Sequence, residues 1–225
     1  MFSIIIINYN TAELTCSCLE SIFNFCSATE LEIILVDNNS KIEDLNIIKN
    51  KFGSKITIIS NNKNLGFAKA NNQGAKVAKG EFIFFLNSDT LVSSDVLAQS
   101  KNVFNLQPEI GIIAPRLILK NKEEQPYSYG LDKKSGAISW VSGAALIIRK
   151  NLFEKIGEWD ERFFMYFEDV DLCRRVINGG SIIERLTSNE ITHLVGGSPV
   201  PYYRRKLFYY RSKILFIFKH YLKII

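Results

Sequence analysis

The 225-residue chain is 47% hydrophobic, enough for a substantial core, and its net charge of +5 is too mild to require a nucleic-acid partner. Its four cysteines, Cys16, Cys18, Cys26 and Cys173, show neither zinc-like pairing nor a disulfide framework, which predicts reduced thiols in a cytoplasmic protein. No stretch approaches the ~20 apolar residues of a spanning helix, and Ile4 to Ile7 is too short and lacks the basic prefix of a secretion signal.

Strand and helix patterns alternate through the first hundred residues. SIIIIN (3–8) reads as a buried strand, and Thr11 to Phe25 carries helical spacing at Leu14, Cys18, Ile22 and Phe25. LEIILVD (31–37) is a second strand, followed by a helix over 42–51; KITIIS (55–60) is a third, followed by a helix over 68–78. EFIFFL (81–86) is the fourth, apolar enough to be buried on both faces, and a helix over 94–106 follows. Such alternation predicts a mostly parallel sheet with helices on both faces and a ligand at the carboxyl ends of the strands.

Those ends read Asn8-Tyr9-Asn10, Asp37-Asn38-Asn39-Ser40, Ser60-Asn61-Asn62 and Asn87-Ser88-Asp89. Any one alone is a turn, and Asn87-Ser88-Asp89-Thr90 alone reads as a turn whose Asp caps the next helix. Together they form a polar crevice suited to a nucleotide or sugar. Further on, GIIAPR (111–116) reads as a strand stopped by Pro115, 120–137 as a mobile loop, 142–150 as a buried strand and 151–156 as a short helix. This second half is expected to complete the sheet and bind a second substrate.

The segment FFMYFEDVDLCRRVINGG predicts a helix from Glu168 to the Gly179-Gly180 stop. On its wheel Leu172, Cys173, Val176 and Ile177 form an apolar stripe with Asp169 in its middle, while Asp171, Arg174 and Arg175 face away. Favourable placement at a helix N-terminus explains Glu168 and Asp171. It explains Asp169 poorly, since burying an unpartnered carboxylate is costly, so Asp169 is expected in a cleft as a general base. His193, one of two histidines, follows a short predicted strand and precedes Gly196-Gly197; it reads as a structural residue or a metal ligand better suited to Mn than to Mg. The tail from Pro201 mixes basic and aromatic residues. A stripe of Leu207, Ile214, Leu215, Phe218 and Leu222 lies opposite Tyr202, Tyr209 and Phe216, which suits a packed helix, a homodimer interface or a peripheral membrane helix.

The ordered motifs IIIINYN, VDNNS, NLGFAKANNQG, FLNSD, SGAALIIRK, FFMYFEDVDLCRR and HLVGGS resemble the family 2 glycosyltransferases, nearest the rhamnosyltransferase-like branch. The resemblance implies an α/β fold of the GT-A type, with a single domain over 1–200 and a basic aromatic helix over 201–225. Residues 1–106 would be the nucleotide-sugar half and 107–200 the acceptor half. It implies inverting transfer of a sugar, rhamnose by nearest likeness, from a dTDP- or UDP-linked donor to a saccharide acceptor in cell-surface polysaccharide synthesis. That acceptor would sit on a lipid carrier at the inner face of the cytoplasmic membrane. Asp169 matches the catalytic base, and Trp140, Gly143 and Glu168 would meet the acceptor. Asn8, Asn10, Asp37, Gly66, Asn71 and Asn87 would bind the nucleotide; Asp89 and His193 would hold a divalent cation, Mg or Mn. In the family's Asp-x-Asp position the first acid is here an amide, Asn87.

An aspartyl-phosphate phosphatase is excluded by the same Asn87, because an amide cannot be the nucleophile. A dinucleotide-dependent oxidoreductase would want G-x-G-x-x-G where this chain has NYNTAE. A non-catalytic nucleotide-sugar-binding paralogue is the remaining alternative, and Asp169 argues against it.

Overall fold

The computed structural model describes residues 1–26, 30–125, 138–195 and 200–222. Most of the predicted 120–137 loop and the Gly196-Gly197 pair lie outside the described residues. The first half runs β1 (Phe2–Asn8), α1 (Ala12–Phe25), β2 (Leu31–Asp37), α2 (Ile42–Phe52), β3 (Thr57–Ser60), α3 (Phe67–Val77) and β4 (Phe82–Asn87). It continues with β5 (Thr90–Val92), α4 (Val96–Leu106), β6 (Ile110–Leu119), β7 (Ala145–Arg149), α5 (Lys150–Lys155), α6 (Glu168–Asn178), β8 (Ile182–His193) and α7 (Tyr202–His220).

One eight-stranded sheet takes the order β3-β2-β1-β4-β7-β6-β8-β5. The pairs β1–β2, β1–β4, β2–β3 and β6–β8 are parallel, and β7 and β5 pair antiparallel to their neighbours. Unbroken apolar runs are required because the sheet is covered on both sides. Ile4, Ile6, Leu35, Phe82 and Phe84 pack on one face against α1, α2 and α4 residues such as Leu19, Ile48 and Phe104. Ile5, Ile34, Ile83 and Phe85 pack on the other, with Ala68 and Ala75 of α3, Phe153 of α5 and Leu172 of α6. Helix α3 meets the sheet through small residues: a Cβ on Gly74 would lie 2.5 Å from the Ile5 side chain. That close approach brings the α3 N-terminus to the sheet edge.

Three local expectations are corrected. Pro115 does not stop its strand; β6 runs on to Leu119, and the β6–β8 register slips between Pro115 and Arg116 instead. Proline lacks the ladder's N–H, so a bulge absorbs it. Asp89 does not cap the following helix; β5 intervenes, and Asp95 is the cap, accepting from the Ala98 amide at 3.0 Å. The strand before His193 is long rather than short, because β8 pairs with β6 along most of its length.

Candidate active site

Register alignment carries the strand tips to one edge: Asn8 pairs with Asp37, Asp37 with Ser60, and Ile7 with Asn87. Within this edge Asn8 is wholly buried and fully committed. Its Nδ2 donates to Asp37 Oδ1 at 2.8 Å and Ser40 Oγ at 2.9 Å, and its Oδ1 accepts from Thr11 and Thr15 hydroxyls at 3.0 and 2.9 Å. Asn8 therefore orients Asp37 instead of facing a ligand, and the Ser40 amide donates to the other Asp37 oxygen at 3.1 Å. Asn10, in the left-handed region at φ 53°, accepts from the Lys41 amide at 2.8 Å. Asn38 fastens the next loop, donating to Asn64 Oδ1 and accepting from the Leu65 amide, both at 2.9 Å. Gly66 (φ 84°) ends that loop, where a Cβ would strike the Phe164 carbonyl oxygen. Asn71 of α3 is 2% exposed, and its Nδ2 has no hydrogen-bond partner among the described residues.

The turn between β4 and β5 brings Asp89 to His193. Thr90 pairs with His193 across β5–β8, and the Leu194 amide donates to the Asp89 carbonyl at 2.8 Å. Asp89 Oδ1 lies 3.2 Å from His193 Nε2. On its other side His193 Nδ1 meets Gln125 Oε1 at 2.6 Å. In a neutral ring whose Nδ1 donates to that amide oxygen, Nε2 turns a lone pair toward the carboxylate. Two acceptors so close need a proton or a cation between them. Ligands at right angles around an ion with bonds of about 2.1 Å stand about 3 Å apart, so the pair fits a divalent cation. No group of three or more metal-ligating side chains occurs among the described residues. A two-ligand site of this kind leaves room for water and substrate phosphate oxygens, as Mg²⁺ sites usually do.

A cavity of about 950 Å³ opens beside this pair, and Asn87, His193, Trp140, Gly143, Glu168 and Asp169 line it together. Two consecutive left-handed residues, Tyr166 (φ 71°) and Phe167 (φ 65°), turn the chain into α6. Strained residues of this kind persist only where the surroundings over-determine them, and here they deliver Glu168 and Asp169 to the cavity wall. The Gly143 and Val170 amides donate to Asp169 at 3.1 and 2.8 Å. Burial raises the Asp169 pKa above the usual carboxylate range, against these amides and a Trp140 side-chain hydrogen bond that pull it down. Glu168 stands well above that range, through burial and then the charge of Asp169, and its Oε2 has no hydrogen-bond partner among the described residues.

Asp171 departs from expectation. It faces away from the cavity as the wheel predicts, yet its side chain is fully buried under α7 instead of lying free at the helix N-terminus. Arg175 Nε, Lys219 Nζ and His220 Nε2 reach it at 2.8, 2.6 and 2.7 Å. The apolar stripe of α7 is likewise turned outward. Leu207 and Ile214 are each 55% exposed, while Phe208, Ser212 and Phe216 pack toward α6 and the segment before it.

The family model for glycosyl transferase family 2 matches residues 3–157, more than half of the chain. The chain belongs to that family. Among curated relatives, this family 2 chain is 38% identical over 63 residues to the N-acetylglucosaminyl-diphospho-decaprenol L-rhamnosyltransferase of Mycobacterium tuberculosis, covering 28% of this chain and 20% of that one. It is 27% identical over 166 residues to the poly-beta-1,6-N-acetyl-D-glucosamine synthase of Staphylococcus epidermidis, covering 68% and 40%. The chain thus spans well under half the length of either relative. Among solved structures, the mannosyltransferase PcManGT from Pyrobaculum calidifontis in complex with GDP-Man and Mn2+ superposes with TM-score 0.72 at 16% identity, over 92% of this chain and 60% of that one. At that identity the likeness shows the fold alone, and the fold is that of the GT-A glycosyltransferases.

Several contributors escaped the sequence reading. Ser40, Asp44 and Asn38 sit within the quoted VDNNS stretch or just after it, and their supporting roles appear only once the strand tips are aligned. Gln125, which meets His193 Nδ1, carries no local signal at all.

Proposed function

We propose that this family 2 glycosyltransferase transfers a sugar with inversion from a nucleoside diphosphate donor to a saccharide acceptor carried on a lipid at a membrane surface. The observation that carries this reading is the shared cavity wall of Asp169 and His193, with Asp89 facing His193 at 3.2 Å. Asp89 and His193 would hold the divalent cation, which when bound offsets the charge developing on the leaving diphosphate. Asp37, oriented by Asn8, would receive the nucleotide base, with Gly66, Asn71 and Asn87 alongside. Asp169, a stronger base than an exposed carboxylate because burial raises its pKa, would take the proton of the acceptor hydroxyl. Base and leaving group must lie on opposite faces of the sugar for inversion. Glu168, Trp140 and Gly143 would position the acceptor. Rhamnose is the favoured donor sugar because of the mycobacterial relative, and a polysaccharide product accords with the staphylococcal one.

The outward stripe of α7, interleaved with Arg204, Lys206, Arg211 and Lys213, would rest on anionic lipid. No described helix is long and apolar enough to cross a membrane.

The test is a paired substitution. Asp169→Asn is expected to reduce transfer by 10²-fold or more, on the order of general-base contributions, and to leave donor affinity within about twofold. Asp89→Ala is expected to abolish Mn-dependent donor binding in a thermal-shift titration. Substantial turnover by Asp169→Asn overturns the base assignment; wild-type donor binding without hydrolysis or transfer across a nucleotide-sugar panel assigns the chain to a non-catalytic binder instead.

A further inference from the structure

The cavity does not end at Asp169. It continues along one face of α6, past Val170 and Arg174 to Ile177, and its far wall is Tyr209, Phe216 and Tyr221 from the α7 region. This extension is nearly all apolar, with one cation inside it. The Arg174 guanidinium lies 4.4 Å from the Tyr221 ring centroid and 5.9 Å from that of Phe216, and it pairs with no carboxylate among the described residues. Its neighbours are differently engaged: Arg175 is held by Asp171 and the Ile156 carbonyl, and Lys219 by Asp160 and Asp171. A guanidinium stacked on aromatic rings keeps its edge donors free for a planar or tetrahedral oxyanion.

Five residues separate Asp169 from Arg174, an axial rise of about 7.5 Å and a turn of about 140° around the helix. Both side chains line the same cavity, which would seat a sugar with its attacking hydroxyl at the base and its anomeric phosphate at the arginine. Tyr209 and Tyr221 line the cavity and are also exposed, so the aromatic wall opens onto the outward apolar face of α7. An apolar chain leaving the arginine would follow these rings outward.

We infer that the cavity between α6 and α7 is the subsite for a prenyl diphosphate-linked acceptor, with its diphosphate on Arg174 and its chain along Phe216, Tyr209 and Tyr221. This rests on the lipid-carried acceptor proposed above, and extends it to a residue and a cavity.

The test is calorimetric titration of metal-free, EDTA-treated protein, so that the Asp89–His193 position cannot hold the probe through a cation. Farnesyl diphosphate, farnesol, inorganic pyrophosphate and glucosamine 1-phosphate are compared. Farnesyl diphosphate is expected to bind tightest, to weaken at least tenfold in Arg174→Gln, and to be only partly restored in Arg174→Lys. Farnesol binding is expected to be unmoved by either substitution. Absence of farnesyl diphosphate binding, its persistence in Arg174→Gln, or equal binding of glucosamine 1-phosphate overturns the inference. Donor hydrolysis by the wild type with Mn, measured in parallel, reports separately on the proposed reaction. Unchanged thermal midpoints for the variants keep a loss of binding from being a loss of fold.

Discussion

Replacing Asp171 with alanine tests how α7 is held to the helix that carries the proposed base. The Asp171 side chain is fully buried and accepts from Arg175, Lys219 and His220 at 2.6–2.8 Å. Breaking a buried ion pair by removing one partner costs about 3–5 kcal/mol, because the other charge is left without compensation. Here the orphaned cations keep other partners: Lys219 still reaches Asp160 at 2.7 Å, and Arg175 Nη1 the Ile156 carbonyl at 2.7 Å. The expected loss is therefore at the low end, about 3 kcal/mol. With a urea m-value of about 3 kcal/mol/M, near the top of the small-protein range, the midpoint should fall by about 1 M. Urea unfolding followed by circular dichroism reads this directly. A midpoint shift below about 0.3 M at unchanged m would show that solvent, not Asp171, satisfies those cations, and would refute the reasoning.

The remaining expectations concern the base and the outer face of α7. As the proposed base, Asp169 would act only as the carboxylate, and its pKa is raised, so kcat should fall with decreasing pH at a higher pH than an ordinary carboxylate would give. Trp140→Phe removes a side-chain contribution that pulls that pKa down, and should move the acid limb to higher pH; a pH–rate profile with an unmoved or lowered limb contradicts this. Leu207→Glu with Ile214→Glu should leave folding intact, both positions being exposed, and should cut flotation with anionic liposomes about tenfold. Wild-type protein that stays with the soluble fraction, or that self-associates through this face, removes the membrane reading.

The strand–helix alternation was legible because each core strand is an unbroken apolar run ending in amides and acids, and the sheet edge follows from those ends. What local pattern missed depended on pairing across the chain. β5 is only Thr90–Val92 and exists because β8 is there to pair with it. Pro115 looked like a stop because nothing nearby announces that β8 will accept a bulge. At the site, the wheel placed Asp169 on the cavity, yet it treated Asp171 as a surface charge. Its three partners lie four, forty-eight and forty-nine positions away along the chain, two of them on an element whose docking no local pattern encodes.

Gly66 and Phe164 give the cleft a constraint of another kind. The Phe67 amide donates to the Phe164 carbonyl at 2.8 Å, directly beside the glycine that no side chain can replace without collision. One end of this stitch belongs to the loop that ends at Gly66, and the other to the segment that leads into Glu168 and Asp169. The two halves are also welded edge to edge through β4 and β7. The backbone bond and the strand pairing both tie the two halves together. A ligand held under the Gly66 loop would bear on this contact, so exchange protection of the Phe67 amide would gauge how firmly the two segments are joined.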